Sequence, residues 1–198
     1  MASPPVLVTD RLRIRVLEER DLALFAKRAG APEVYATTLR MPRPYTVEDA
    51  RAFMEAQHAA WAVGTGLVTA VCLRETDEPI GSIGLEMNRP MDRAELGYWI
   101  AVPVWGNGYA TEASGAMLGY GFAHLGLHRI YAGHFAGNDA SGRVLTKVGM
   151  KFEGTLRECL KKDGQYRDDV VYGVLQSEFE PRTAWAVEGL ERRGNNEC

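Results

Sequence analysis

Two glycines flank an asparagine in the stretch VPVWGNGYATEA, residues 102–113. The strand-like run AELGYWIA precedes it and a helix-like run follows. A turn of this kind leaves several backbone N–H groups unpaired at the positive end of a helix dipole, which is the chemistry of an anion site. Gly106 and Gly108 place no Cβ between their amides and a ligand, and Ala110 is nearly as small. A triphosphate loop needs Gly-Lys-Ser/Thr, whereas Tyr109 follows Gly108. A dinucleotide turn needs a third Gly or Ala where Thr111 stands. Both of those phosphate ligands are excluded.

Other reactive side chains carry weaker signals. His124 and His128 have the spacing of metal ligands on one helix face, but Gly126 ends the helix between them and no Glu follows His124. No metal site is expected. No serine sits in a G-x-S-x-G elbow, which argues against a serine hydrolase. Cys72, Cys159 and Cys198 are far apart and odd in number, and they read as free thiols.

The elements that must position the turn follow from periodicity. Leu12, Ile14 and Val16 alternate with Arg11, Arg13 and Arg15 and predict a half-exposed first strand. Asp21 opens a short helix to Arg28, and residues 31–45 read as loop with some helix. Thr46 and Asp49 form a capping-box pattern ahead of a helix ended by Gly64 and Gly66. Strands are predicted at Leu67–Arg74, Ile80–Met87 and Ala94–Ala101. A helix follows from about Thr111 to Leu125, on a stripe of Ala110, Ala113, Met117, Gly121 and Phe122 that would pack on the sheet. A strand at Arg129–Ala136 leads to a short helix from Asn138 to Gly149. Strands at Lys151–Leu160 and Tyr166–Leu175 are joined through Asp163-Gly164, a strong hairpin signal. The order predicts an α/β (α+β) protein with a mixed central sheet and helices on both faces. Residues 1–180 form one domain. Residues 181–198 form a tail, partly ordered at best, in which Trp185 docks a short helix and the final RRGNNEC frays.

The chain has 198 residues and a net charge of −3. No basic stripe exists to neutralise phosphates, so no nucleic-acid partner is expected. No signal peptide and no membrane span are evident, so no membrane partner is expected either. With unpaired cysteines, these features lead to the expectation of a cytoplasmic protein. The last two strands leave an edge through which two copies could pair as a homodimer.

TDRLRIRVL, IGSIGL, AELGYWI, VWGNGYATEA, NDASGRVLTKVGMKFEG and LRECLKKDGQYRDDVVYGVL occur in that order. Together they resemble the RimJ/RimL-type branch of the GNAT N-acetyltransferase superfamily, over about Val8 to Leu175. Gly108 and Ala110 match the end of the family's Q/R-x-x-G-x-G/A loop, and Trp105 stands at the Gln/Arg position, as is common in the branch. The resemblance implies a GNAT fold, with a twisted mixed sheet splayed between its fourth strand, residues 95–102, and its fifth, residues 129–136. It implies acetyl-CoA as cosubstrate. The pantetheine would pair with backbone near Ile100, Ala101 and Val102. The pyrophosphate would meet the amides of Gly106, Asn107, Gly108, Tyr109 and Ala110, with the Thr111 hydroxyl. Asn138 would lie on the thioester side.

The implied reaction is attack of a primary amine on the thioester within a ternary complex. An α-amine is roughly a tenth neutral at pH 7, a lysine amine only ~0.04%. A protein N-terminus therefore asks little of a base. Glu95 is the candidate base, acting directly or through water. Its plain alternative is a surface strand residue, and a family-typical bulge would shift its facing. Glu112 is better read as favouring the helix start, and Glu86 and Glu158 are outsiders. In the branch's N-x-x-S pattern Ser141 is the candidate donor to the departing thiolate, although Asn138 and Ser141 could also simply cap their helix. Tyr98, Tyr131 and Tyr166 are further candidate donors. Lys147 could meet the 3′-phosphate. Tyr35, Met54 and Trp61 lie where the family puts its acceptor pocket. A polyamine or aminoglycoside acceptor, or a non-catalytic acyl-CoA sensor, remains an alternative.

Overall fold

A computed structural model of the chain describes residues 3–189. The elements run β1 (Leu7–Val8), β2 (Leu12–Arg15), α1 (Leu22–Ala29), α2 (Pro32–Thr37), α3 (Val47–Val63), β3 (Gly66–Leu73), β4 (Pro79–Asn88) and β5 (Arg93–Ile100). They continue with α4 (Tyr109–His124), β6 (Arg129–Phe135), α5 (Asp139–Lys147), β7 (Lys151–Lys162), β8 (Gln165–Leu175) and β9 (Ala186–Val187). The strands form one sheet in the order β7-β8-β6-β5-β4-β3-β2-β1-β9. The predicted fourth and fifth strands are β5 and β6, because the short β1 precedes them.

Among the described residues only β5 and β6 are parallel, and they pair at Arg93↔Arg129, Ala94↔Ile130 and Glu95↔Tyr131. Beyond Glu95 the two strands run on to Ile100 and Phe135 without pairing, so the sheet is splayed at its middle. On the other edge β5 pairs with β4 along its whole length without a register shift. The bulge expected in this strand is absent. Bulges lie instead in the β3–β4 ladder near Val71 and in β7.

Alternation of side chains across the strands divides the interior in two. On one face Ile83, Leu85, Leu96, Ile130 and Val174 pack against Ala113, Ala116, Met117 and Leu118 of α4 and Leu145 of α5. On the other, Ala70 and Cys72 pack against Leu22, Phe25 and Ala26 of α1 and Ala50 and Met54 of α3. Thr46 caps α3 in the predicted reciprocal box, and Gly64 ends it at φ +74°. The β7–β8 turn has φ of +50° at Asp163 and +77° at Gly164, the geometry that favours Asp-Gly in a tight hairpin.

Two expectations change. Arg15, expected on the exposed side of its strand, is 1% exposed, because Asp21 and Asp77 accept hydrogen bonds from its guanidinium. The segment after 180 is not a docked helix: β9 pairs antiparallel with β1 and carries the sheet past the expected boundary. Thr183 and Trp185 lie over Gly115 and Gly119 of α4, which leave room by having no Cβ. That cover explains why α4 is buried all round from Ala113 to Phe122, not along one stripe. RRGNNEC and Cys198 lie outside the described residues. Among those described, no helix is long and apolar enough to cross a membrane.

Candidate active site

The site is built around the splay. Glu95 occupies the last paired position before the opening, between Glu86 on β4 and Tyr131 on β6. Tyr131 Oη donates to Glu95 Oε2 at 3.4 Å. Burial raises the pKa of Glu95 above the usual carboxylate range, and nearby Glu86 adds to the rise while Arg40 offsets part of it. Arg40 itself is paired with Glu86 at 2.5 Å. Burial, followed by the Glu95 charge, holds the Tyr131 hydroxyl in its protonated form. Gly97 and Gly133 continue the same face on either side of the opening. A Cβ on Gly97 would meet nothing within 4 Å, so Glu95 looks onto open space. Asp169 of β8 lies against Gly133 on this face, and burial raises its pKa too.

Tyr98 projects to the opposite face of β5. Its hydroxyl lies 2.7 Å from Ser141 Oγ on α5. Burial pushes the Tyr98 phenol up to about 12, and the Ser141 hydrogen bond opposes that rise. Asn138 Oδ1 accepts from the Ser141 N–H at 3.3 Å, so Asn138 caps α5 while the Ser141 hydroxyl is used elsewhere. Glu95 and Ser141 are thus on opposite faces of the sheet, and a molecule threaded through the splay would reach both.

The backbone facing the opening differs from the expected Ile100–Val102. The Ala101 N–H bonds Ile80 O at 2.7 Å, which fixes the phase of the ladder. Leu96, Tyr98 and Ile100 therefore turn their amides toward the splay. The Ile100 carbonyl is occupied by Trp105 Nε1 at 2.6 Å, and Val102 opens a 3₁₀ turn. An added strand would find Tyr98 and the Ile100 N–H but not the Ala101 N–H, which is spent on Ile80 O; the Val102 N–H has no backbone acceptor among the described residues. This bond also gives Trp105 a structural role that sequence could not show.

In the glycine turn Gly106 and Gly108 have φ of +80° and +82°. The first bond into α4 is Glu112 N–H to Gly108 O, 3.0 Å. Among the described residues, the N–H groups of Gly106, Asn107, Gly108, Tyr109, Ala110 and Thr111 have no backbone acceptor. Such a run of free donors at a helix N-terminus is a nest for an anion. Glu112 does more than favour the helix: its carboxylate accepts from Thr9 Oγ1 at 2.6 Å and Arg11 Nε at 2.7 Å.

Residues 11–151 of this chain match the model of the acetyltransferase (GNAT) domain. The chain belongs to the GNAT acetyltransferase family. It is 33% identical over 174 residues to the uncharacterized N-acetyltransferase YoaA of Bacillus subtilis, covering 87% of this chain and 97% of that one. It is 26% identical to the [ribosomal protein uS5]-alanine N-acetyltransferase of Escherichia coli, over 88% and 93% of the two chains. Among solved structures, Mycobacterium smegmatis RimJ in complex with CoA-disulfide superposes with a TM-score of 0.77 at 25% identity, covering 88% and 87%. This GNAT protein is therefore an acyltransferase with RimJ/RimL-type relatives.

The remaining candidates of the GNAT domain separate clearly. Glu86 is exposed and engaged with Arg40. Glu158 lies at the β7 bulge with φ +50°, its N–H donated to Asp168 Oδ1. Tyr166 is exposed on the hairpin, below Lys161. Lys147 is exposed, and its carbonyl accepts from Arg182. Of the residues expected at the acceptor side, Met54 belongs to the α1–α3 core and Trp61 packs against the larger core. Tyr35 lies against the β7–β8 hairpin: its hydroxyl donates to Asp163 Oδ1 at 2.5 Å. Lys162 Nζ, 3.6 Å from the Tyr35 ring centroid, donates to Thr38 O at 2.6 Å. These contacts tie the segment after α2 to the β7–β8 hairpin, across the splay on the face of Glu95. Sequence gave no sign of this strap, because its parts are 128 residues apart.

Proposed function

We propose that this GNAT enzyme transfers the acetyl group of acetyl-CoA to a primary amine, and that the acceptor is the α-amine of a protein or peptide N-terminus. The observation that carries the reading is Glu95, a half-buried carboxylate with a raised pKa at the last rung before the splay, facing open space over Gly97. The free amides of Gly106 to Thr111 fit the pyrophosphate of the cosubstrate, and the Tyr98 and Ile100 backbone fits its pantetheine arm. Bound there, acetyl-CoA supplies the thioester carbonyl that the amine attacks. Glu95 takes the proton of the attacking amine, directly or through a water, with Tyr131 orienting the carboxylate. The Ser141 hydroxyl, paired with Tyr98, gives a proton to the departing sulfur. The basicity of a CoA thiolate is close to that of cysteine, pKa ≈ 8.5, so this second step asks less than positioning does.

The strap supports a slender acceptor. The contacts of Tyr35 and Lys162 cover this side of the opening, which favours a narrow acceptor over one carried on a broad folded surface. The RimJ-like relatives point the same way. A polyamine is the second reading, favoured by Glu86, Glu95 and Asp169 on one face. The test is thiol release from acetyl-CoA against peptides with varied first residues, α-blocked peptides with an internal lysine, spermidine and an aminoglycoside. Turnover with free N-termini and none with the blocked peptides supports the first reading. Turnover with spermidine alone replaces it by the second, and no turnover with any amine overturns both.

A further inference from the structure

Arg11 lies 96 residues before the glycine turn, yet its side chain is fitted against it. The turn between β1 and β2 delivers it there: Thr9 N–H bonds Leu12 O, and Thr9 Oγ1 accepts from Leu12 N–H, each at 3.0 Å. Arg11 Nη1 then donates to Asn107 O at 2.9 Å. Arg11 Nε donates to Glu112 Oε2 at 2.7 Å, and the Arg11 backbone N–H donates to Glu112 Oε1 at 3.0 Å. The guanidinium carbon stands 4.7 Å from the centre of the Tyr109 ring. One side chain therefore touches Asn107, Tyr109 and Glu112.

Two consequences follow from elementary chemistry. A trans peptide unit is planar, with its C=O and N–H pointing in opposite directions. Holding the Asn107 carbonyl on the Arg11 side aims the Gly108 N–H away from it, toward the open side of the nest. Glu112 sits one turn into α4, where a bare carboxylate would repel an anion at the helix start. Arg11 neutralises it, and the carboxylate's side chain is only 11% exposed while that of Arg11 is 49% exposed.

We propose that Arg11 is a positioning residue for the phosphate end of the cosubstrate: it aims the Gly108 amide and masks the charge of Glu112, so that β1–β2 sets the affinity of a site carried by α4. The inference rests on the reading that the glycine turn binds the CoA pyrophosphate. It is tested with Arg11→Gln, Arg11→Lys and the double variant Arg11→Gln/Glu112→Gln. The Kd of CoA is measured by calorimetry and that of pantetheine, which lacks the pyrophosphate, by ligand-observed NMR. Arg11→Gln is expected to raise the CoA Kd roughly tenfold or more, the scale of one lost hydrogen bond to a charged group, and to leave pantetheine unchanged. Arg11→Lys keeps the charge but not the fork, so it should fall between. The double variant should regain part of the lost affinity, because no uncompensated carboxylate remains. An unchanged CoA Kd in Arg11→Gln and Arg11→Lys, or equal losses for CoA and pantetheine, overturns the inference while leaving the cosubstrate reading intact. Absence of CoA binding by the wild type overturns the cosubstrate reading and the inference with it.

Discussion

At the scale of single residues, the proposed chemistry rests on Glu95 of β5 and on Ser141 of α5, which lies against the opposite face of that strand. Glu95 is held largely away from water, and its pKa is raised by burial and by Glu86. A base with a raised pKa is protonated at a higher pH than an ordinary carboxylate, so on the acid side wild-type kcat/KM should lose one limb in addition to that of the acceptor amine. Glu95→Gln should be slow and keep only the amine's limb. An unchanged rate and profile would remove Glu95 from the reaction. Ser141 has the Tyr98 hydroxyl as its partner at 2.7 Å. Ser141→Ala is expected to lower kcat about tenfold or more while the Kd of acetyl-CoA stays nearly constant. A large change in Kd instead would assign Ser141 to binding. Glu95 and Ser141 were both legible as candidates, one on a strand and one in N-x-x-S. Their placement on opposite faces was not, because it depends on a bulge that this strand lacks.

At the scale of elements, the proposed acceptor path can be tested at the strap. Lys162→Met removes the donor to Thr38 O and the cation over Tyr35. The segment after α2 should then loosen, raising KM for a peptide acceptor while the Kd of acetyl-CoA is retained. Steady-state kinetics with the best peptide checks this; a fall in kcat with KM unchanged would assign the strap to catalysis and not to access. The local signals within these elements were strong. Thr46 and Asp49 predicted a cap whose removal in Thr46→Ala should cost about 1 kcal/mol by chemical denaturation, and Asp163-Gly164 predicted the hairpin that carries the strap. The contact between the hairpin and α2 has no local signature, since it joins polar side chains far apart in the chain.

At the scale of the whole molecule, two cores share one sheet, and the small α1–α3 core is tied to it by a buried ion network. Arg15 donates to Asp21 Oδ2 at 2.6 Å and to Asp77 Oδ1 at 3.1 Å. Asp21→Ala leaves a buried guanidinium short of a partner and should destabilise the fold by about 3 kcal/mol or more in urea titration. Burial alone would raise the pKa of Asp77, but hydrogen bonds from Arg15 and Arg13 outweigh it and hold the group below its ordinary value. Because its folded pKa is depressed, the stability this group contributes is full above the unfolded pKa. It should be lost as pH falls from about 4 through the folded value. A shallower loss of stability below about pH 4 in the Asp77→Asn variant than in wild type checks that sign.

Sequence by itself determined the order of the main helices and strands between Leu12 and Leu175, the caps and turns, and the family. All of these rest on interactions within a few residues or on the two periodicities of helix and strand. Only the tertiary structure decided that Arg15 is buried, that Tyr98 and Ile100 face the splay while the Ala101 N–H does not, and that Arg11, Tyr35 and Lys162 meet residues far along the chain. Those outcomes depend on ladder phase and on polar contacts between distant loops, and neither leaves a periodic trace in the residues that make them.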